Sequence, residues 1–170
     1  MTGPAFARRT AMPRLGLGYL AVTEIVVGLW QLLLPRSFYD DFPLPGHPWV
    51  AMLPSYNEHL LRDLGGLNTG MGVMLMIAAV TLDRLLTRTV LLGYLLYSAT
   101  HLAFHLGHLS HFTVFDVVGQ VVTLTLGAVL PILLLYASGR GRPQPPSRRP
   151  RPAGAAAGPG AASDAAGEAR

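Results

Sequence analysis

The sequence predicts an all-α fold, a four-helix transmembrane bundle running up-down-up-down and followed by a disordered C-terminal tail. Three observations carry this expectation. The 170-residue chain is 51% hydrophobic and only 13% charged, with a mean hydropathy of +0.39, far from the composition of soluble domains. Its apolar residues gather into four runs, each long enough at about 1.5 Å rise per residue to cross roughly 30 Å of hydrocarbon. Its basic residues are all arginine, with no lysine, and they fall in terminal blocks and short links instead of along one face. That distribution, under a net charge of +4, points to membrane orientation and a lipid bilayer as partner, and against nucleic acid.

The expected spans cover 15–34 (LGLGYLAVTEIVVGLWQLLL), 60–82 (LLRDLGGLNTGMGVMLMIAAVTL), 88–107 (RTVLLGYLLYSATHLAFHLG) and 113–136 (TVFDVVGQVVTLTLGAVLPILLLY). Residues 1–14 form a short N-terminal segment. From 137 onward the composition turns to Gly, Pro, Ala and Arg, which offers little apolar surface to offset the entropy of ordering, so 137–170 reads as a disordered tail. Arg8, Arg9 and Arg14 precede the first span, Arg84 and Arg88 occupy the short link between the second and third, and Arg140, Arg142, Arg148, Arg149 and Arg151 follow the fourth. The stretches 35–59 and 108–112 hold only Arg36. By the positive-inside rule both termini are expected in the cytoplasm, in a multi-pass cell-membrane protein. Arg8-Arg9 before an apolar run superficially resembles a twin-arginine leader, but the run is long, carries Glu24 at its centre and lacks a small-residue cleavage site.

The longer arginine-poor loop, PRSFYDDFPLPGHPWV, interleaves Phe38, Tyr39, Phe42 and Trp49 with prolines and acids. Aromatic rings sit well at the headgroup level, so the loop is expected to lie across the mouth of the bundle. A sharper reading makes it a lid whose Asp40 and Asp41 attract cations.

At 100° per residue, every span carries its polar and small residues on one stripe. The stripes comprise Glu24, Gly28 and Gln31; Glu58, Arg62, Gly65, Thr69 and Gly72; Tyr94, Tyr97, His101, His105 and His108; and Asp116, Gln120, Thr123 and Gly127. Lipid cannot satisfy such groups, so they should face the bundle interior. Counting rise per residue puts Glu24, Thr69, Tyr97 and Thr123 near the midplane and most other polar members toward the arginine-poor end. The expectation is a polar cavity open at that end and closed below by Val, Leu, Ile and Met.

Four of the six histidines fall between positions 101 and 111, in THLAFHLGHLSHF. His101, His105 and His108 share one helical face, and an i, i+4 pair can chelate a transition metal. A complete metal site would need Glu58, His59 or Asp116 in addition. The imidazoles could equally move protons, or simply hydrogen-bond across helices. Haem fits less well, because bis-histidine ligation needs rings on opposing helices. With no cysteine, thiolate chemistry is excluded.

Glu58 and Arg62, one turn apart, can pair at the start of the second span, with Asp63 capping that start or joining Arg62. Arg62 could instead meet an anionic ligand or Glu24. Gly66-Leu-Asn-Thr-Gly70 supplies a GxxxG for packing within the bundle or in a homodimer, and Asn68 inside it joins the candidate ligand or proton residues. Glu24 is the costliest residue, since a central acid costs about 2.5–3.5 kcal/mol on insertion scales and must be neutral, paired or hydrated.

RSFYDDFP, YNEHLLRDLGG and THLAFHLGHL together resemble a group of four-span membrane proteins common in actinobacteria. The resemblance covers about 15–136 and implies the same four-span architecture. That group has no assigned activity, so the resemblance implies no catalytic residue. Three function classes remain open. The first is a bundle whose outward cavity binds or conducts protons, a metal ion or a small polar ligand, through Glu24, Glu58, Arg62, Asn68, His101, His105, His108, Asp116 and Gln120. The second is a structural or accessory subunit holding a membrane partner. The third, a membrane oxidoreductase using quinone or haem, has least support, because no nucleotide-binding or nucleophile motif is present.

Overall fold

A computed structural model describes residues 4–53 and 55–139, with side chains from residue 11 to 138. It is all-α apart from one two-residue hairpin. Helix α1 spans Pro4–Leu33, α2 Pro35–Asp41, α3 Glu58–Thr81, α4 Arg84–Leu106 and α5 Val114–Gly139. Strands β1 (Pro43–Leu44) and β2 (His47–Pro48) form the antiparallel hairpin, and a 3₁₀ turn covers Leu109–His111. Four segments are long and apolar enough to cross a membrane: Ala11–Leu33, Glu58–Thr81, Arg84–Leu106 and Val114–Ser138. The expected spans are therefore present, with shifted ends. The helix of the first span continues back to Pro4 and that of the fourth on to Gly139, while the rest of the expected tail, 140–170, lies outside the described residues.

The link between α3 and α4 is shorter than the arginines imply. Only Leu82 and Asp83 lie between the helices, and Arg84 and Arg88 belong to the first turns of α4. Leu82 ends α3 in the left-handed region at φ 51°, with its N–H donating to Ala78 O at 2.8 Å. Asp83 then starts α4 by accepting from Leu86 N at 2.8 Å. This is how a side-chain cap satisfies a first-turn donor. At the start of α3 the cap is Asn57, whose Oδ1 accepts from Leu60 N at 3.1 Å. Asp63, expected near that role or beside Arg62, instead pairs with His59 at 3.3 Å.

The long helices pack pairwise, α1 with α3 and α4 with α5, and the two pairs meet more thinly along α3 with α4 and α1 with α5. What makes the first pair close is glycine. A Cβ added at Gly28 would lie 2.6 Å from Thr69 N, one at Gly65 2.5 Å from Leu32 N, and one at Gly72 2.6 Å from Ile25 Cγ1. Backbone therefore rests on backbone, the close approach that small residues permit between membrane helices. The GxxxG pair does not do this. Gly66 and Gly70 are exposed and have nothing within 4 Å of an added Cβ, because they sit on the opposite side of α3 from Gly65 and Gly72. Between the pairs lies a mainly apolar core at the arginine-rich end, with Leu17, Leu20, Ala21, Leu75, Ala78, Leu91 and Leu134 buried and Thr87 buried on the first turns of α4.

Replacing Gly65 with valine should destabilise the bundle by about 1–3 kcal/mol, the usual cost of overpacking a close contact. Gly66→Val, one residue away, should leave it near wild type. Unfolding in detergent by titrated denaturant reads the difference, and equal losses at the two positions would contradict the backbone contact.

Candidate functional site

The polar stripes converge at the arginine-poor end, and the α1–α3 contact sets the first part of the site. With the two backbones held at Gly28 and Gly65, Gln31 and Asn68 face each other across the interface. Asn68 Nδ2 donates to Gln31 Oε1 at 2.9 Å, and both side chains are buried. Two turns from Gln31 toward the middle of α1 is Glu24, 7% exposed. The Tyr94 hydroxyl of α4 lies close to its carboxyl, and Tyr97 lies close to Asn68. A buried acid in hydrocarbon needs such a donor. Two tyrosines thus tie the α1–α3 pair to α4.

From Tyr97 an aromatic and imidazole ladder climbs α4. Tyr94 and Tyr97 meet edge-on at 6.2 Å between ring centroids, Tyr97 stacks on His101 at 5.6 Å, and His101 meets His105 at 4.7 Å. His105 Nδ1 lies 2.7 Å from Gln120 Oε1 of α5. An amide oxygen only accepts, so this contact puts a proton on Nδ1 and, in the neutral ring, leaves Nε2 as the acceptor. Gln120 is fully buried, and its Nε2 has no hydrogen-bond partner among the described residues. His101 and His105 are half-buried.

The ladder stops at His105. Gly107 ends α4, so His108 leaves the helical stripe; its Nδ1 donates to Phe104 O at 2.7 Å and its ring stacks on Phe104 at 4.2 Å. The expected three-histidine face is therefore a pair. Among the described residues no three His, Asp or Glu side chains come together as a metal-binding group. Thr123 also departs from its stripe: it is exposed, and its hydroxyl donates to Gly119 O of its own helix at 2.8 Å.

Asp116 is buried as its stripe implies, but it serves the loop. Its Oδ1 accepts from Trp49 Nε1 at 3.0 Å and lies 2.8 Å from His47 Nδ1, while Oδ2 accepts from Thr113 Oγ1 at 2.6 Å. The Trp49 ring lies over Gly119, where an added Cβ would stand 3.0 Å from it. The loop is further held by aromatic contacts among Trp30, Phe38, Phe42 and Trp49. It lies across the mouth of the bundle, as the aromatic pattern implies. The acids proposed to attract cations are already engaged, Asp40 by Arg36 at 2.6 Å and Asp41 by the Ser37 hydroxyl at 3.2 Å.

Glu58 and Arg62 pair at 2.9 Å on the exposed start of α3. Arg62 does not reach Glu24; its Nη1 donates to Leu32 O at 2.6 Å and so closes the last turn of α1. Arg62, Glu58 and Arg36 line an open cleft of about 410 Å³ beside the loop, and a smaller one of about 110 Å³ lies between Trp49 and His111. Both open beside the loop, whereas the sequence suggested a cavity among the histidines.

His47 and Trp49, which anchor the loop, do not stand out in the sequence. Their only signal is that GHPW places two ring N–H donors next to a glycine turn, where Gly46 takes φ 86°. The acceptor, Asp116, is 67 residues beyond Trp49. Comparison with protein families, with curated proteins and with solved structures finds no match to this chain.

Removing the carboxylate should release the loop. In Asp116→Ala, backbone amides of 42–53 should exchange hydrogen about tenfold faster or more, since hydrogen bonds to a charged group contribute about 1.5–3 kcal/mol each. Hydrogen exchange by mass spectrometry in detergent measures this, and unchanged exchange would show that aromatic packing alone holds the loop.

Proposed function

We propose that this multi-pass membrane protein takes up protons at its arginine-poor end and holds them at Glu24. The observation that carries the reading is the succession of exchangeable groups His105, His101, Tyr97, Tyr94 and Glu24, which runs from half-buried rings to a buried carboxyl. Imidazole and carboxyl are the groups that exchange protons most readily in a membrane interior. Beyond Glu24 the described residues that fill the bundle are mainly Leu17, Leu20, Leu75 and Leu91, with the Thr87 hydroxyl also buried there, which favours uptake and storage over passage to the other side. In this reading His101 and His105 relay, Tyr94 and Tyr97 orient, Gln120 fixes the His105 tautomer, and Asn68 with Gln31 holds the tyrosine end. Glu58, Arg62 and His108 lie outside the relay. Protons are favoured over a metal ion because the imidazoles pair without a third ligand.

The arginines at the opposite end support an orientation with that end in the cytoplasm, so uptake would be from outside. The likeness to the actinobacterial four-span group agrees with the architecture and adds no activity. A second reading, a structural or accessory seam, is favoured by the bonds of Asn68 to Gln31 and of Arg62 to Leu32, which fasten α1 to α3.

Infrared difference spectra across a pH titration in nanodiscs test the uptake. Wild-type protein should show a protonated-carboxyl band that Glu24→Gln abolishes and His101→Ala slows, while His111→Ala leaves it intact. A spectrum unaffected by Glu24→Gln would leave the structural seam as the account. For orientation, reporters inserted at Leu82–Asp83 should sit in the cytoplasm and those at Gly46 outside; the reverse pattern would invert the direction of uptake.

A further inference from the structure

The cleft where α1 ends, α2 turns and α3 begins combines features that the proton reading does not use. It is lined by Leu33, Leu34, Arg36, Tyr56, Glu58 and Arg62, among others, and its volume of about 410 Å³ falls in the range of small-ligand sites, roughly 300–1,000 Å³. We propose that it binds the headgroup of a zwitterionic phospholipid carrying a primary ammonium, with the phosphate between Arg36 and Arg62 and the ammonium at Glu58.

The guanidiniums are presented for such a ligand. Arg36 donates through Nε to Asp40 Oδ2 at 2.6 Å, and its carbon lies 5.1 Å from the Tyr56 ring centroid and 5.8 Å from that of Tyr39. The two rings meet edge-on at 5.3 Å. This seat fixes the plane of the guanidinium while its two Nη groups make no described hydrogen bond. A guanidinium held flat with free N–H pairs is the geometry that recognises phosphate oxygens. Arg62 is fixed by Glu58 and Leu32 O, and Glu58 Oε2 also accepts from the Tyr56 hydroxyl at 3.4 Å.

Charge selects the headgroup. Two guanidiniums are balanced by Glu58 in the lining and Asp40 behind Arg36, with Asp41 behind Ser37, so the site carries no excess positive charge and suits a ligand whose own charges cancel. A net anion would gain from the arginines and lose against the carboxylates. A quaternary ammonium could approach Glu58 but donate nothing to it, whereas a primary ammonium donates directly. The apolar side selects a lipid over a soluble phosphate. Leu33 and Leu34 are 62% and 61% exposed, and Leu29, one turn below Leu33, is also exposed. They form a track along which acyl chains descend from the cleft into the hydrocarbon, where apolar contact with lipid is the normal condition.

Native mass spectrometry of the full chain in mild detergent tests this with dioleoyl phosphatidylethanolamine, phosphatidylcholine and phosphatidylglycerol added at equal mole ratio. Phosphatidylethanolamine should be retained about tenfold more than either other lipid, the order expected for one charge-assisted hydrogen bond. Arg36→Gln, on an exposed side chain, should lower that retention about tenfold with helicity unchanged. Glu58→Gln should remove the preference for ethanolamine over choline. Soluble phosphoethanolamine at the same concentration should displace none of the lipid. Equal retention of the three lipids, preference for phosphatidylglycerol, retention indifferent to both substitutions, or displacement by soluble phosphoethanolamine would each overturn the proposal.

Discussion

The contact on which the remainder of this bundle depends is the backbone-to-backbone approach of α1 and α3 at Gly28, Gly65 and Gly72. In hydrocarbon the apolar side chains gain nothing by leaving lipid for one another, so helix association rests on close van der Waals contact and on polar groups that lipid cannot satisfy. Glycine supplies the first, and the second follows from it. Once the two backbones touch, Asn68 reaches Gln31 and Arg62 reaches the carbonyl of Leu32. The last turn of α1 has free carbonyls that would otherwise face an apolar surround. A guanidinium from the neighbouring helix closes it, and that requires the register the glycines impose.

The second helix pair is joined by a different logic. Between α4 and α5 a polar contact joins His105 with Gln120. The two pairs share the buried leucines at one end and the Glu24–Tyr94 and Asn68–Tyr97 contacts near the middle. Tyrosine suits that position because its ring packs like an apolar residue while its hydroxyl meets the one polar partner available. Above the tyrosines His101 and His105 are half-buried, while Gln31, Asn68 and Gln120 around them are buried.

How far the sequence reveals this depends on whether a feature is local. The four spans are legible because an apolar run of sufficient length has one outcome in a bilayer. Glu24, Gln31, Asn68 and Gln120 are buried as candidate interior residues should be, since helical periodicity sorts one face from the other. What fails is anything decided at a helix end or across a long separation. Arg84 and Arg88 suggest a longer link, but Leu82 accepts a left-handed conformation and the turn closes in two residues. His108 belongs to the stripe only if the helix continues, and Gly107 stops it. Of the two uses the GxxxG spacing offers Gly66 and Gly70, packing within the bundle is not made, and the α1–α3 interface uses glycines seven residues apart, on either side of Asn68, where the polar bond fixes which face turns inward.

The loop shows the limit most clearly. Its aromatics announce an interfacial segment, but the segment's position is set by Asp116, which composition alone would assign to the interior. A buried carboxylate at the start of α5 must find donors, and among the described residues the chain next to it provides the Thr113 hydroxyl, just before the helix. The indole of Trp49 and the imidazole of His47 complete the set. In a bilayer, a carboxylate left without them would draw water or lipid headgroups into the mouth of the bundle. The loop therefore covers that mouth because the fourth span cannot satisfy Asp116 by itself. Asp116 precedes Gln120 by one helical turn, so the clasp of Asp116, Trp49 and His47 stands one turn from the bond that holds His105.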